Sequence, residues 1–135
     1  GTRTATTTLA ANSSEDVVGI MNAWVRETDV AAKANAGYMT LLNVADEDVT
    51  LVSIESEAFE KIEMHQMAIV EGLMKMRQVN ERIIPANGQA RFAPGGWHLM
   101  LLGPRQHLIA GAGVHMTLVF KSGVRQTVTV NVATR

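Results

Sequence analysis

Residues 124–132 read VRQTVTVNV, with Val128, Val130 and Val132 in one parity and Arg125, Thr127, Thr129 and Asn131 in the other. Strict alternation of apolar and polar side chains is the pattern of a half-buried strand, because successive strand side chains leave on opposite faces. An amphipathic helix would repeat its apolar positions every three to four residues instead.

Working back from this segment, short runs of the same character recur between turn signals. They are HMTLVFK at 115–121, WHLMLLG at 97–103, GQARFA at 88–93, LMKMRQV at 73–79, FEKIEMHQM at 59–67, VTLVSIES at 49–56, GYMTLLNV at 37–44 and IMNAWVRE at 20–27. Turn-forming residues separate them: Ala45-Asp-Glu-Asp48, Pro85-Ala-Asn-Gly88, Pro94-Gly-Gly96, Gly103-Pro104 and Ser122-Gly123. Many short strands at this spacing predict an all-β sandwich. Two segments carry helical composition, the Ala-rich Val30 to Ala36 and the turn from Glu55 to Glu60, and neither is long enough to stand alone.

Residues 1–16, GTRTATTTLAANSSED, are Thr, Ala and Ser without apolar periodicity. Such a segment cannot bury enough surface to offset the entropy lost on ordering, so a flexible tail is expected there. No repeat, heptad or linker divides the remainder, and 17–135 is expected to form one domain. The chain of 135 residues is 47% hydrophobic and 19% charged, which suits one domain with a true core. Its 12 basic and 13 acidic residues are interspersed, so it carries no electrostatic footprint for nucleic acid or an anionic membrane. No apolar run approaches the ~20 residues that span a bilayer, so no membrane insertion is expected. Neither a nucleophile triad, a paired-carboxylate motif nor a phosphate loop is evident, and the chain is not expected to be an enzyme.

Cysteine is absent, which excludes disulfides, thiolate metal sites and thiol nucleophiles. Methionine is abundant instead: six of the eight methionines lie between Met64 and Met116, the stretch that also holds all four histidines. Within a strand, residues i and i+2 share a face, so His98 and Met100 stand side by side while Leu99 faces the core. The same parity pairs Met74 with Met76 and His65 with Met67. Neutral imidazoles and thioethers with no thiolate or carboxylate among them suit Cu(I), because soft sulfur donors select it. Zinc sites favour anionic sulfur with histidine, and Mg²⁺ and Ca²⁺ take oxygen. Any single methionine is more often a core filler. Met64 and Met116 are expected in the core, Trp24, Tyr38 and Met39 in packing roles, and His107 and His115 as ordinary polar residues. Trp97 could equally shield the His98 face or present it to a partner. Parity alone does not choose between Met74 and Met76.

These residues resemble a known family, the periplasmic copper chaperones written PCu(A)C, whose metal motif is His-x10-Met-x21-His-x-Met. Here His65, Met76, His98 and Met100 stand at those separations. AWVRET at 23–28, GYMTLLN at 37–43, GLMKMR at 72–77 and PGGWHLMLLG at 94–103 are similar to the family as well, and the likeness runs from about Ala23 to the C-terminus. DVAAKANAG stands where the family has a proline-containing stretch, and Trp97 where tyrosine is common. The resemblance implies a cupredoxin-like Greek-key β-sandwich in the periplasm or another extracytoplasmic space, binding one Cu(I) through those four residues. It also implies a monomeric carrier that hands copper to an accepting protein, a cytochrome oxidase subunit at its CuA site or another copper chaperone. Copper buffering or storage, with Met67 and Met74 adding capacity, is the alternative.

Overall fold

A computed structural model describes residues 17–134. The tail expected at residues 1–16 lies outside them. Ten strands follow in order: β1 Gly19–Arg26, β2 Ala34–Asn43, β3 Val49–Glu55, β4 Phe59–Val70, β5 Leu73–Val79, β6 Arg82–Ile84, β7 Gly88–Phe92, β8 His98–Pro104, β9 Gly113–Phe120 and β10 Arg125–Ala133. There is no helix among the described residues.

Each of the nine β-like runs is a strand. The three-residue β6 is an addition, held by pairing Arg82–Ile84 antiparallel to Val49–Leu51 of β3. Both helical candidates resolve differently. Residues 30 and 31 form a turn, and Ala34–Ala36 opens β2 opposite Leu102, Leu101 and Met100 of β8. Glu55 closes β3, residues 57 and 58 turn, and Phe59 begins β4. Helix propensity over so few residues yields to cross-strand pairing, which gives each backbone group a partner. Gly103-Pro104 does not break its strand either: Pro104 pairs with Phe59 at the last position of β8, a strand-end site where a missing N–H is tolerated.

The hydrogen-bonded path runs β5-β4-β8-β2-β1-β10-β9-β3-β6, with β7 also on β2. β2 meets β8 along Ala34–Gly37 and β7 along Met39–Asn43, while its other edge pairs with β1. The path folds over so that nine of the ten strands contribute to one apolar core. Leu41, Leu51, Leu99, Leu101, Met116 and Leu118 are fully buried within it. Met64, Trp24, Tyr38 and Met39 are buried too, as their expected packing roles require. Side-chain amides close two awkward points. Asn43 Nδ2 donates to the carbonyls of Glu47 and Ile84, which pins the 44–48 turn. Gln126 Oε1 accepts from the backbone N–H groups of Val17 and Val18.

β5 alone supplies nothing to the core cluster. It is the last strand of the path, joined only to β4, and the β4–β5 hairpin carries exposed Ile69, Leu73, Met74 and Met76. Val70 pairs with Leu73 across a two-residue loop in which Glu71 has φ +54° and Gly72 φ +81°. Positive φ at both central positions defines a type I′ turn, which Asn-Gly fills best. Glu71 therefore bears a left-handed backbone that asparagine tolerates better. Glu71→Asn is expected to stabilise the fold by up to about 1 kcal/mol. Thermal unfolding checks this, and a lower melting temperature in the variant would contradict the turn assignment.

Candidate metal centre

The site is built by register. β4 lies between β5 and β8, and His65 faces His98 directly while Glu63 faces Met100. On the other side Met67 faces Met76, and Gln78 lies opposite His65. Residues directly opposite in an antiparallel pair point to the same side of the sheet. Glu63, His65, Met67, Met76, His98 and Met100 therefore share one face. The opposite face carries Met64 against Leu99, both buried in the core, as alternation within WHLMLLG requires.

His65 is the hub of this arrangement. His98 stands straight across from it; Met100 and Met76 are its diagonal neighbours, at ~7–8 Å between α-carbons and within reach of a long flexible side chain. Met74 pairs with Ile69, four residues further along β4 from His65, or about 13 Å at strand rise. Register thus sets Met76 closer to His65 than Met74, a difference that parity does not show. Met67 shares the level of Met76 and stays beside it. The two imidazole centroids are 5.6 Å apart, with their planes tilted by 44°.

The environments of the histidines differ. Burial pushes the His98 imidazole below its ordinary value; the Gly96 carbonyl, hydrogen-bonded to the ring, works the other way, and His65 adds a further lowering. His65 Nε2 donates to Glu63 Oε1 at 2.9 Å, while His65 Nδ1 is buried and has no hydrogen-bond partner. A buried nitrogen without a partner is a cost that a metal ion aligned with its lone pair removes. The residues present therefore fit a metal, and the fit depends on thioethers. Among the described residues, no three His, Cys, Asp or Glu side chains gather into a metal-binding group.

A carboxylate also stands on this face: Glu63, hydrogen-bonded to His65, lies beside the donors rather than among them. Hydrogen bonds from His65 and then Lys61 hold its carboxyl below the usual carboxylate range, against the opposing effect of burial. The signal was available as Glu63-x-His65 on one strand face, yet an acid on a strand normally marks solvent. Trp97 packs edge-on against Phe92 at 6.1 Å, with the Arg82 guanidinium 4.0 Å from its ring centroid. It is a packing residue with its ring against the core. Burial brings Arg82 down to about 10. His107 Nδ1 accepts from the Val30 N–H, and His115 Nδ1 is hydrogen-bonded to Thr129 Oγ1. Both are the polar residues expected. A cleft lined by Glu55, Glu60, Arg105 and His115 holds none of the four motif residues.

An all-β fold with this face defines the class, that of cupredoxin-like PCuAC domains. The copper-bound PCuAC domain from PmoF2 superposes with a TM-score of 0.73 at 23% identity, covering 88% of this chain and 94% of that one. The solution structure of Cu(I)-bound DR1885 from Deinococcus radiodurans superposes with a TM-score of 0.71 at 27% identity, over 90% of this chain and 81% of that one. A family model described as "Putative lipoprotein LpqE-like" matches residues 18–132, and the chain belongs to that family. It is also 33% identical to the uncharacterised protein RP573 of Rickettsia prowazekii, over 93% of this chain and 75% of that protein.

Proposed function

We propose that this chain is an extracytoplasmic copper chaperone that binds one Cu(I) through His65, Met76, His98 and Met100 and delivers it to a copper-accepting protein. The observation that carries this is the opposed pair His65 and His98, flanked diagonally by Met100 and Met76, with a buried and unpartnered Nδ1 on His65. The likeness to the Cu(I)-bound DR1885 structure supports it. Copper is cargo here. Two thioethers and two neutral imidazoles bring no charge of their own, so an acceptor that offers thiolates binds Cu(I) more strongly and draws it away by ligand exchange. The face is open at Met76, which is 47% exposed, so an incoming ligand can reach the metal before the last thioether leaves. Delivery serves cytochrome oxidase assembly at the CuA site in this proposal. The lipoprotein description of the family supports a place outside the cytoplasm.

Storage is the second reading, favoured by Met67 opposite Met76 and by Met74 on the same face. Stoichiometry separates the two: one Cu(I) per chain supports a carrier, several support a sink.

A competition titration against a Cu(I) chelator, repeated between pH 8 and pH 5, tests the carrier. An imidazole must be neutral to ligate, so affinity is complete above its pKa and falls as pH drops through it. His98 titrates below its ordinary value, so its competition with protons begins below the reference of about 6.5. Affinity is expected to hold through neutral pH and to decline in acid, below the ordinary histidine range. A profile flat to pH 5 would count against histidine ligation.

A further inference from the structure

The two ring nitrogens of His65 have unlike surroundings. Nε2 lies 2.9 Å from Glu63 Oε1, whereas Nδ1 is buried with no partner. A neutral imidazole carries one N–H and one lone pair, and an ionised carboxylate can only accept. The contact with Glu63 therefore requires the proton on Nε2 and leaves the lone pair on Nδ1. Glu63 is itself held, because Lys61 Nζ lies 3.1 Å from Oε2. Lys61, Glu63 and His65 follow one another on a single face of β4, and the register with β8 sets Glu63 opposite Met100 and His65 opposite His98. One regular strand thus builds a chain from ammonium to carboxylate to imidazole, ending on a buried nitrogen without a partner.

We propose that Glu63 is a positioning residue that fixes His65 as the Nε2–H tautomer and presents its Nδ1 lone pair to the metal. The proposal rests on the copper site described above and names the device that orients one of its ligands. A ligating histidine whose other nitrogen donates to a carboxylate has its ring orientation and tautomer set in advance, and loss of such a partner typically weakens metal binding about 10–100-fold. Without Glu63 the ring is free to turn and to carry its proton on either nitrogen, so binding must first select the competent form.

The tautomer is read without copper, from long-range ¹H–¹⁵N correlation spectra of the ¹⁵N-labelled apo protein at about pH 8, above the ordinary histidine range. The parent protein is expected to show His65 at one limit, protonated on Nε2. Glu63→Ala should move it to a mixture, with a several-fold fall in the tautomer ratio, and weaken Cu(I) binding at least about tenfold. Glu63→Gln keeps an acceptor oxygen and loses the charge, so it should retain both the tautomer and most of the affinity. The same spectra report whether each variant is folded. Protonation on Nδ1 in the parent protein, or an unchanged tautomer ratio in Glu63→Ala, overturns the proposal. So does a Glu63→Gln variant that keeps the tautomer yet binds as weakly as Glu63→Ala, since charge alone would then be responsible. A tautomer shift in a protein that binds no Cu(I) overturns the copper assignment and upholds the control of the ring by Glu63.

Discussion

Replacement of His98 by alanine is expected to weaken Cu(I) binding by about 100-fold or more. Loss of a partner that merely orients a ligand already costs about 10–100-fold, and His98→Ala deletes a donor outright. His98 stands directly across from His65 at the middle of the donor face, so no neighbour can replace its nitrogen without breaking the strand register. Competition with a Cu(I) chelator measures the loss. His107→Ala and His115→Ala serve as controls, since the rings of His107 and His115 are engaged by Val30 and Thr129 instead. Equal affinity in His98→Ala and the parent protein would remove His98 from the site and the four-residue motif with it.

The second large effect lies on the other face of the same strand. Leu101 is fully buried, and a Cβ placed on Gly37 would stand 3.3 Å from its Cδ1, so the leucine packs directly over the β2 backbone. Leu101→Ala is expected to cost about 2–5 kcal/mol, the sum of lost transfer energy and a cavity that close-packed neighbours cannot fill. Denaturant unfolding measures the change. Because Leu101 points away from the donor face, the folded variant should bind Cu(I) with the affinity of the parent. A variant as stable as the parent would show that β8 does not bury this parity.

Those two results depend on an alternation that was legible in the sequence. His98-Leu99-Met100-Leu101 assigns donors to one face and leucines to the core by parity, and the structure places them so. The all-β architecture was legible for the same reason, since short apolar runs recur along the chain with turn residues at 45–48, 85–88, 94–96 and 122–123 between them. What escaped depended on long-range pairing. β6 has three residues and exists because β3 offers it an edge, so no local pattern could announce it. Val30 to Ala36 carries helical composition, and the backbone of Ala34–Ala36 is claimed by β8. Glu63 reads as a solvated charge until the β4–β8 register sets it opposite Met100. The preference for Met76 over Met74 also became a matter of distance only once β5 was aligned on β4.

β1 and β10 are joined in parallel, with Trp24, Val25 and Arg26 against Asn131, Val132 and Ala133. Among the described residues, the first strand in chain order therefore waits for the tenth. Until β10 is in place, β1 lacks one of its two edges and β9 lacks its β10 partner along Gly113–Val119. Pairings so distant along the chain close slowly, because the entropy of the intervening loop is lost before any contact is gained. The sheet thus closes only when the first and tenth strands meet, which makes this seam a slow step of folding.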